Sequence, residues 1–183
     1  MRALARPSVR SFVAVEVPAS PSSSPRRSAP EHLTLLFLGE IASDRVPAIE
    51  QALTPVGARW PPFDLTLDGV GAFPSVERPR VVWVGATEGA AELVRLAGEV
   101  RAALGEEVAS TGEGPFVPHL TLFRVRSSFD RQRAEELLRG DRPAPEPRRF
   151  RVGEFVLKES VLSNRGATHR TVATFPLSGA SVP

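Results

Sequence analysis

The sequence repeats one tetrapeptide, His-Leu-Thr-Leu, at residues 32–35 and again at residues 119–122. The copies begin at residues 32 and 119, a separation of about half of the 183-residue chain. A proline-containing segment precedes each copy, and β-prone residues follow, so both copies are predicted to open strands. The separation is too long for a solenoid repeat. It favours two related lobes that each contribute one strand to a shared cleft.

Hydrophobic periodicity predicts strands interleaved with a few helices, as in an α+β domain. The predicted strands cover residues 11–17, 32–38, 63–73, 80–86, 119–125, 150–160 and 169–177, and the predicted helices cover 43–56, 88–104 and 130–138. Ser43 and Asp44 supply N-cap chemistry for the first helix, and Pro47 falls in its first turn, where proline is tolerated. The Ser- and Pro-rich segment 18–30 is predicted to be a flexible loop. We expect one two-lobed domain over residues 1–183.

The composition excludes several classes of site. The chain has no cysteine, which rules out disulfides, thiolate nucleophiles and cysteine-ligated zinc or iron–sulfur centres. No apolar run approaches the 18 or so residues of a membrane span, and the arginine-bearing N-terminal residues lack the apolar stretch of a secretory signal. We therefore expect a cytoplasmic protein without a membrane segment.

The charge is small overall but unevenly distributed. The net charge is +2, which does not suit a general nucleic-acid coat. Residues 119–183 carry 12 basic and 7 acidic side chains, whereas residues 31–118 carry 6 basic and 13 acidic ones. Two interpretations stay open for the basic segments: they line one anion-binding groove, or they lie on a solvated surface.

The repeated tetrapeptide places a histidine and a threonine together. Alternate residues of a strand point to the same face, so His32 lies beside Thr34 and His119 beside Thr121, with leucines on the opposite faces. A single His-x-Thr pair usually makes only local hydrogen bonds, but duplication with identical neighbours favours a function. Two imidazoles can serve as base and acid near neutral pH, and hydroxyls suit phosphate oxygens.

The two histidines are a poor zinc set, because neither a carboxylate motif nor a cysteine accompanies them. Opening a cyclic phosphodiester needs no metal, since the alkoxide of the ring leaves and two imidazoles relay the protons. The sequence therefore predicts no metal and no cofactor.

A set of stretches in a fixed order covers most of the chain. They are residues 10–18, 32–39, 79–85, 115–124 and 157–177. At these residues the sequence resembles the two-histidine phosphoesterases, and more closely the RNA 2′,3′-cyclic phosphodiesterases, also called 2′-5′ RNA ligases of the LigT type. The resemblance implies two pseudo-symmetric lobes of antiparallel sheet, with helices outside and the histidines in a central cleft.

The resemblance also implies roles for five side chains. His119 is the expected base on water and His32 the expected acid at the 3′ oxygen, although the near-symmetric motifs allow the reverse assignment. Thr34 and Thr121 are expected to hold the non-bridging phosphate oxygens. Arg124 fits the family pattern, but strict alternation turns it away from His119, so a twist or bulge is required to aim it into the cleft.

Several positions depart from the family pattern. The loop at residues 19–31 replaces a helix of the family, and Leu36 stands where many members carry a basic residue. His169 stands where an aromatic residue is common, and we interpret it as a surface histidine on an edge strand. Phe12 is a candidate for stacking on a base, with a place in the core as the alternative.

The expected function is metal-independent hydrolysis of RNA 2′,3′-cyclic phosphate ends to 2′-phosphates, with reversible 2′-5′ ligation as a related activity. The alternatives are a phosphodiesterase for small cyclic nucleotides or 2′-5′ oligonucleotides, and a weakly active RNA-binding module. The expected partners are RNA ends or nucleotides with a cyclic phosphate. We expect a monomer without a protein partner.

Overall fold

A computed structural model describes residues 8–19, 31–105, 115–163 and 166–180 of the chain. This part of the chain contains eight strands, three α-helices and a 3₁₀ turn at Ser43–Arg45. The strands are β1 Ser8–Val17, β2 Glu31–Ala42, β3 Phe63–Phe73, β4 Val81–Ala86, β5 His119–Arg124, β6 Arg148–Val152, β7 Glu154–Ser163 and β8 Gly166–Pro176. The helices are α1 Val46–Arg59, α2 Ala90–Leu104 and α3 Ser128–Arg139.

The strands form two four-stranded antiparallel sheets. Their orders are β2-β1-β7-β8 in the first sheet and β5-β4-β3-β6 in the second. The two strands that carry the repeated tetrapeptide, β2 and β5, are therefore both edge strands, and they contact each other. The predicted α+β fold with two antiparallel sheets and outer helices is confirmed.

One hydrophobic core joins the two sheets to α1 and α2. Leucines of both tetrapeptides enter it, with Leu33 fully buried, Leu35 4% exposed and Leu120 4% exposed. Helix α1 contributes an apolar stripe that includes Leu53, and α2 contributes one that includes Leu96, at the i, i+3, i+4 spacing of amphipathic helices. Because the leucine faces of β2 and β5 enter the same core, their His/Thr faces both turn away from it.

Several predicted boundaries are wrong, and two of them change how an element is built. The predicted strand 150–160 is two strands, which pair in different sheets and are separated only by Gly153. The chain crosses between the sheets there, and glycine imposes no side chain at the crossing. Ser43 and Asp44 do not cap α1, because they lie in the 3₁₀ turn and the N-cap residue is Arg45, with no side-chain hydrogen bond. Most of the predicted loop 18–30 lies outside the described residues.

Candidate active site

The His/Thr faces of β2 and β5 form the centre of the candidate site. His32, Thr34 and His119 are half-buried, and Thr121 is exposed. Their strands meet where the two sheets meet, and the leucines between them fill the core behind. The structure thus brings the strands that carry the two predicted motifs into contact at the junction of the lobes.

A shift of register in β5 turns Arg124 toward the site. His119, Thr121 and Arg124 pair with three alternate residues of β4, and a register shift accommodates the extra residue of β5. Those partners are Gly85, Trp83 and Val81. Alternate residues of β4 share a face, so Arg124 lies on the face of His119. The bulge that the sequence argument required is present.

The same shift occurs in β2. Thr34 pairs with Ala14 and Phe37 pairs with Phe12, so Leu35 and Leu36 stand between two positions of the same face. Phe37 therefore occupies in β2 the place that Arg124 occupies in β5. Its side chain is 54% exposed, and its ring centroid lies 6.1 Å from that of Phe12. Phe37 was not among the predicted site residues, although both it and Arg124 stand five positions after their histidines.

The imidazole of His119 has a fixed orientation. Its Nδ1 lies 2.7 Å from the carbonyl oxygen of Val117. When Nδ1–H donates to that carbonyl, the lone pair of the neutral ring is on Nε2. The ring of Phe73 packs edge-on against His119 with centroids 4.9 Å apart, and the Trp83 indole lies 6.1 Å away. His119 is thus held as a tautomer that can accept a proton at Nε2.

The indole of Trp83 lies over glycines. A Cβ added to Gly71 would lie 2.2 Å from Cη2 of Trp83, and one added to Gly85 would lie 3.3 Å from its Cζ3. Phe73 also packs against the indole, with ring centroids 5.3 Å apart. These two glycines leave the space that the indole occupies beside His119.

His32 lies in a cluster of three rings. Its centroid is 4.9 Å from that of Phe12 and 5.0 Å from that of His169, which meets it edge-on at 77°. Phe12 also packs edge-on against His169, 5.1 Å away. Phe12 is only 3% exposed, so in this structure it has almost no open surface for a base. Its place is in the packing behind His32, the alternative that the sequence analysis left open.

The interpretation of His169 as a surface histidine is wrong. Strand β8 is an edge of its sheet, but the imidazole is half-buried against His32, and its Nδ1 is buried without a hydrogen-bond partner. Burial lowers the pKa of His169 below its ordinary value of 6.5, and the positive charge of Lys158 lowers it further. The neutral form of His169 is therefore favoured.

A charged group lies on the same face of the first sheet. The ammonium of Lys158, whose side chain is 1% exposed, donates to Oε1 of Glu16 and, over 3.0 Å, to Oγ1 of Thr171. Thr171 donates in turn to Glu16 over 3.1 Å. The hydrogen bond and charge of Lys158 lower the pKa of Glu16 below 4.5, burial opposes them, and the charge of His32 acts in the lowering direction. Neither Glu16 nor Lys158 was among the site residues predicted from the sequence.

Arg148 ties the two sheets together beside the site. Its guanidinium, on β6, donates to the carboxylate of Glu31 at the start of β2 and to the carbonyl of Pro18 just after β1. The side chains of Arg148 and Glu31 are 25% and 31% exposed. Arg148 thereby fixes the segment from which His32 projects.

No helix among the described residues is long and apolar enough to cross a membrane. Within the same residues, no three His, Asp or Glu side chains form a group that could hold a metal ion.

Residues 4–161 match the family model of the 2′-5′ RNA ligase superfamily. A protein of Aquifex aeolicus named RNA 2′,3′-cyclic phosphodiesterase is 36% identical over 149 residues, which are 81% of this chain and 78% of that protein. One of the same name from Aeropyrum pernix is 36% identical over 143 residues, or 77% of this chain and 78% of its own.

Solved structures give the same result. A Thermus thermophilus protein superposes with a TM-score of 0.70 at 28% identity, covering 94% of this chain and 100% of its own. Escherichia coli LigT, solved in complex with 3′-AMP, superposes with a TM-score of 0.69 at 25% identity, covering 94% and 99%. This chain therefore belongs to the 2′-5′ RNA ligase superfamily.

Proposed function

We propose that the protein hydrolyses 2′,3′-cyclic phosphate ends of RNA to 2′-phosphates, with the two repeated histidines as its acid–base pair. The observation that carries the proposal is the contact between two edge strands that each carry a His-x-Thr face turned away from a shared core. Relatives named RNA 2′,3′-cyclic phosphodiesterase, similar over most of the chain, support the choice of substrate.

His119 is the base in this reaction. Its Nδ1 is engaged by the Val117 carbonyl, so Nε2 is available to take a proton from the attacking water. As the water oxygen bonds to phosphorus, the bond from phosphorus to the 3′ oxygen breaks. His32 gives its proton to that 3′ oxygen, so one proton enters the pair and one leaves it. The product carries a 2′-phosphate and a free 3′-hydroxyl, and no cofactor takes part.

Three further side chains would stabilise the charge on the phosphoryl oxygens. Thr34 and Thr121 lie two residues after the histidines on the same strand faces, where their hydroxyls can donate to the non-bridging oxygens. Arg124 joins them because of the register shift in β5, and its guanidinium adds a full positive charge. In 2′-5′ ligation a 5′-hydroxyl takes the place of water. His119 would take its proton as the 5′ oxygen bonds to phosphorus, and His32 would protonate the departing 3′ oxygen, so acid and base keep their roles.

The decisive test is a short RNA with a 2′,3′-cyclic phosphate end, incubated with the protein in the presence of EDTA. We expect a product whose terminal phosphate becomes sensitive to phosphatase and which co-migrates with a 2′-phosphate standard. His32→Ala and His119→Ala should each abolish it. Arg124→Ala should reduce it, whereas Arg131→Ala, which removes an exposed arginine of α3, should not.

The same experiment separates the alternative functions. Turnover of a cyclic mononucleotide but not of the RNA end would identify a small-nucleotide phosphodiesterase. RNA binding without turnover, retained at full strength in both histidine variants, would identify a binding module and refute the proposal.

The proposal also covers the oligomeric state and the cellular location of the protein. We propose a monomer that acts in the cytoplasm. Size-exclusion chromatography with light scattering should give the mass of one chain, 19.7 kDa. A mass twice as large would refute the monomer.

A further inference from the structure

The two histidines have identical flanking residues, but their neighbours across the strand pair differ. The residue opposite His32 is Glu16, whereas the residue opposite His119 is Gly85. Paired residues in a sheet present their side chains on the same face, so a carboxylate lies beside one imidazole and only a glycine beside the other. The symmetry of the repeated tetrapeptide is broken at this position.

Glu16 is fixed by a buried cation. Lys158 is the single lysine in the chain, and its side chain is 1% exposed beside a small apolar cluster of Phe12, Ala14 and Val156. Both Lys158 and Thr171 donate to Oε1 of Glu16. Because these two donors use one carboxylate oxygen, the group is ordered, and 37% of the Glu16 side chain remains open on the site face.

Glu16, Lys158, His169 and His32 form a ring of four interacting groups. Lys158 acts on Glu16 and on His169, Glu16 interacts with the charge of His32, and the imidazoles of His32 and His169 are 5.0 Å apart. Two imidazolium ions at that separation repel each other, so only one ring readily carries the proton. Lys158 disfavours the proton on His169, and Glu16 favours it on His32.

We propose that Glu16, held by Lys158 and Thr171, is a positioning residue that keeps a proton on His32 and so makes His32 the acid of the pair. This inference rests on the proposed function for the use of that proton, but the location of the proton is a property of the free protein. His119 has a carbonyl beside Nδ1 and no carboxylate opposite, which leaves it the role of base. The neighbouring strands thereby give different roles, acid and base, to two motifs that are alike in sequence.

Among the described residues, strand β1 contributes Glu16 and Arg10 to this face of the first sheet, and Arg10 pairs in register with Glu40 of β2. Strand β7 contributes Lys158 and Glu154, β8 contributes His169, and β5 of the second sheet carries His119 and Arg124. Of the neighbouring charges, Glu159 and Arg170 pair with each other over 2.9 Å, at strand positions that alternate with the site residues. Arg148 neutralises Glu31, which precedes His32.

Titration of the imidazole Cε1–H signals by NMR tests the inference in the ligand-free protein. The chain has only three histidines, so three single His→Gln variants assign every signal. We expect the midpoint for His32 to be higher than that for His169. Glu16→Gln, which keeps an oxygen acceptor for Lys158 but removes the charge, should lower the His32 midpoint by about one pH unit. Glu159→Gln is the matched control and should leave it unchanged.

Lys158→Met gives an independent result, since it replaces the ammonium with an apolar chain of similar length. It should raise the His169 midpoint, because the repelling charge is gone. If that variant does not fold, Glu16→Gln alone decides the question, since Glu16 is partly exposed and retains its hydrogen bonds as glutamine. An unchanged His32 midpoint in Glu16→Gln, or a His169 midpoint above that of His32, would overturn the inference.

The pH profile of kcat/KM on the RNA substrate connects the proton to the reaction. In Glu16→Gln the alkaline limb, where the acid loses its proton, should move to lower pH by the same amount as the His32 midpoint, while the acid limb stays in place. A shift of the acid limb instead would assign the acid role to His119 and refute the inference. A folded wild-type protein with no turnover would sink the proposed function, while the titrations would still locate the proton.

Discussion

Gly71 lies on β3, next to β4, the strand that pairs with β5. Replacing Gly71 with alanine adds one methyl group under the indole of Trp83. The added Cβ would lie 2.2 Å from Cη2 and 2.3 Å from Cζ2 of that ring. Carbon atoms in ordinary contact are 3.4–4 Å apart, so the indole must move by more than 1 Å. The variant therefore displaces an aromatic side chain without changing any group proposed to act in the reaction.

The displacement reaches His119 through two ring contacts. The indole lies 6.1 Å from the imidazole of His119 and 5.3 Å from the ring of Phe73, which itself packs 4.9 Å from His119. A misplacement of about 1 Å at a reacting group commonly costs on the order of 100-fold in rate. Overpacking of a filled site costs about 1–3 kcal/mol of stability. We expect kcat to fall by about 100-fold, with the fold retained.

The assay is kcat and KM on a cyclic-phosphate RNA, together with thermal unfolding of the same samples. Gly98→Ala is the matched control, because Gly98 lies on the exposed side of α2 and its Cβ would meet nothing within 4 Å. It should keep full activity and gain about 0.5–1 kcal/mol of stability. Combining Gly71→Ala with Trp83→Leu, which removes the ring that clashes, should recover stability but not activity. Wild-type kcat in Gly71→Ala would refute the claim that the indole positions His119.

Three further variants test other parts of the structure. Arg148→Ala should lower the free energy of unfolding by about 1–3 kcal/mol, because two hydrogen bonds from a charged group between the sheets are lost; an unchanged Tm would contradict this. His169→Phe should remove part of the pH dependence of stability. The pKa of His169 is lower in the native state than its ordinary 6.5, so the unfolded chain takes up a proton first and stability falls as pH drops below 6.5 through the native value. Urea unfolding at a series of pH values measures this slope, and an equal slope in His169→Phe would contradict the prediction. Phe37→Ala should raise KM for RNA by roughly tenfold with kcat retained if its exposed ring stacks on a base; an unchanged KM would exclude that role.

Strand alternation was sufficient to predict the two His/Thr faces and the leucine faces behind them, because these depend only on neighbouring residues. Alternation failed at Arg124, since a bulge adds one residue to β5 and reverses the face of every later residue. The bulge has no glycine or proline to mark it in the sequence. The one indication of the bulge in the sequence is the arginine that the family pattern has at position 124, because strict alternation would turn that residue away from the site.

The groups around His32 could not be predicted from neighbouring residues in the sequence, for a different reason. Glu16, Lys158 and His169 come together because β1, β7 and β8 are neighbours in one sheet, although the chain passes through the second sheet between β1 and β7. Sequence separation gives no indication of that order. The break at Gly153 has the same origin, because one continuous β-prone stretch serves two sheets and only the pairing partners reveal the division.

The two lobes therefore share a strand pattern but differ in what surrounds it. The position five residues after the histidine is turned into the site by a bulge in both lobes, yet it holds an aromatic ring in β2 and a guanidinium in β5. The position opposite the histidine holds a carboxylate in one lobe and a glycine in the other. A symmetric pair of imidazoles alone has no preferred direction for proton transfer, since each can be acid or base. Distinct roles require unequal surroundings, and both differences supply them: the carboxylate is proposed to favour a proton on His32, and Arg124 lies on the strand face of His119. The repeated tetrapeptide thus supplies the two imidazoles of the proposed acid–base pair, and residues outside the repeat distinguish the proposed acid from the proposed base.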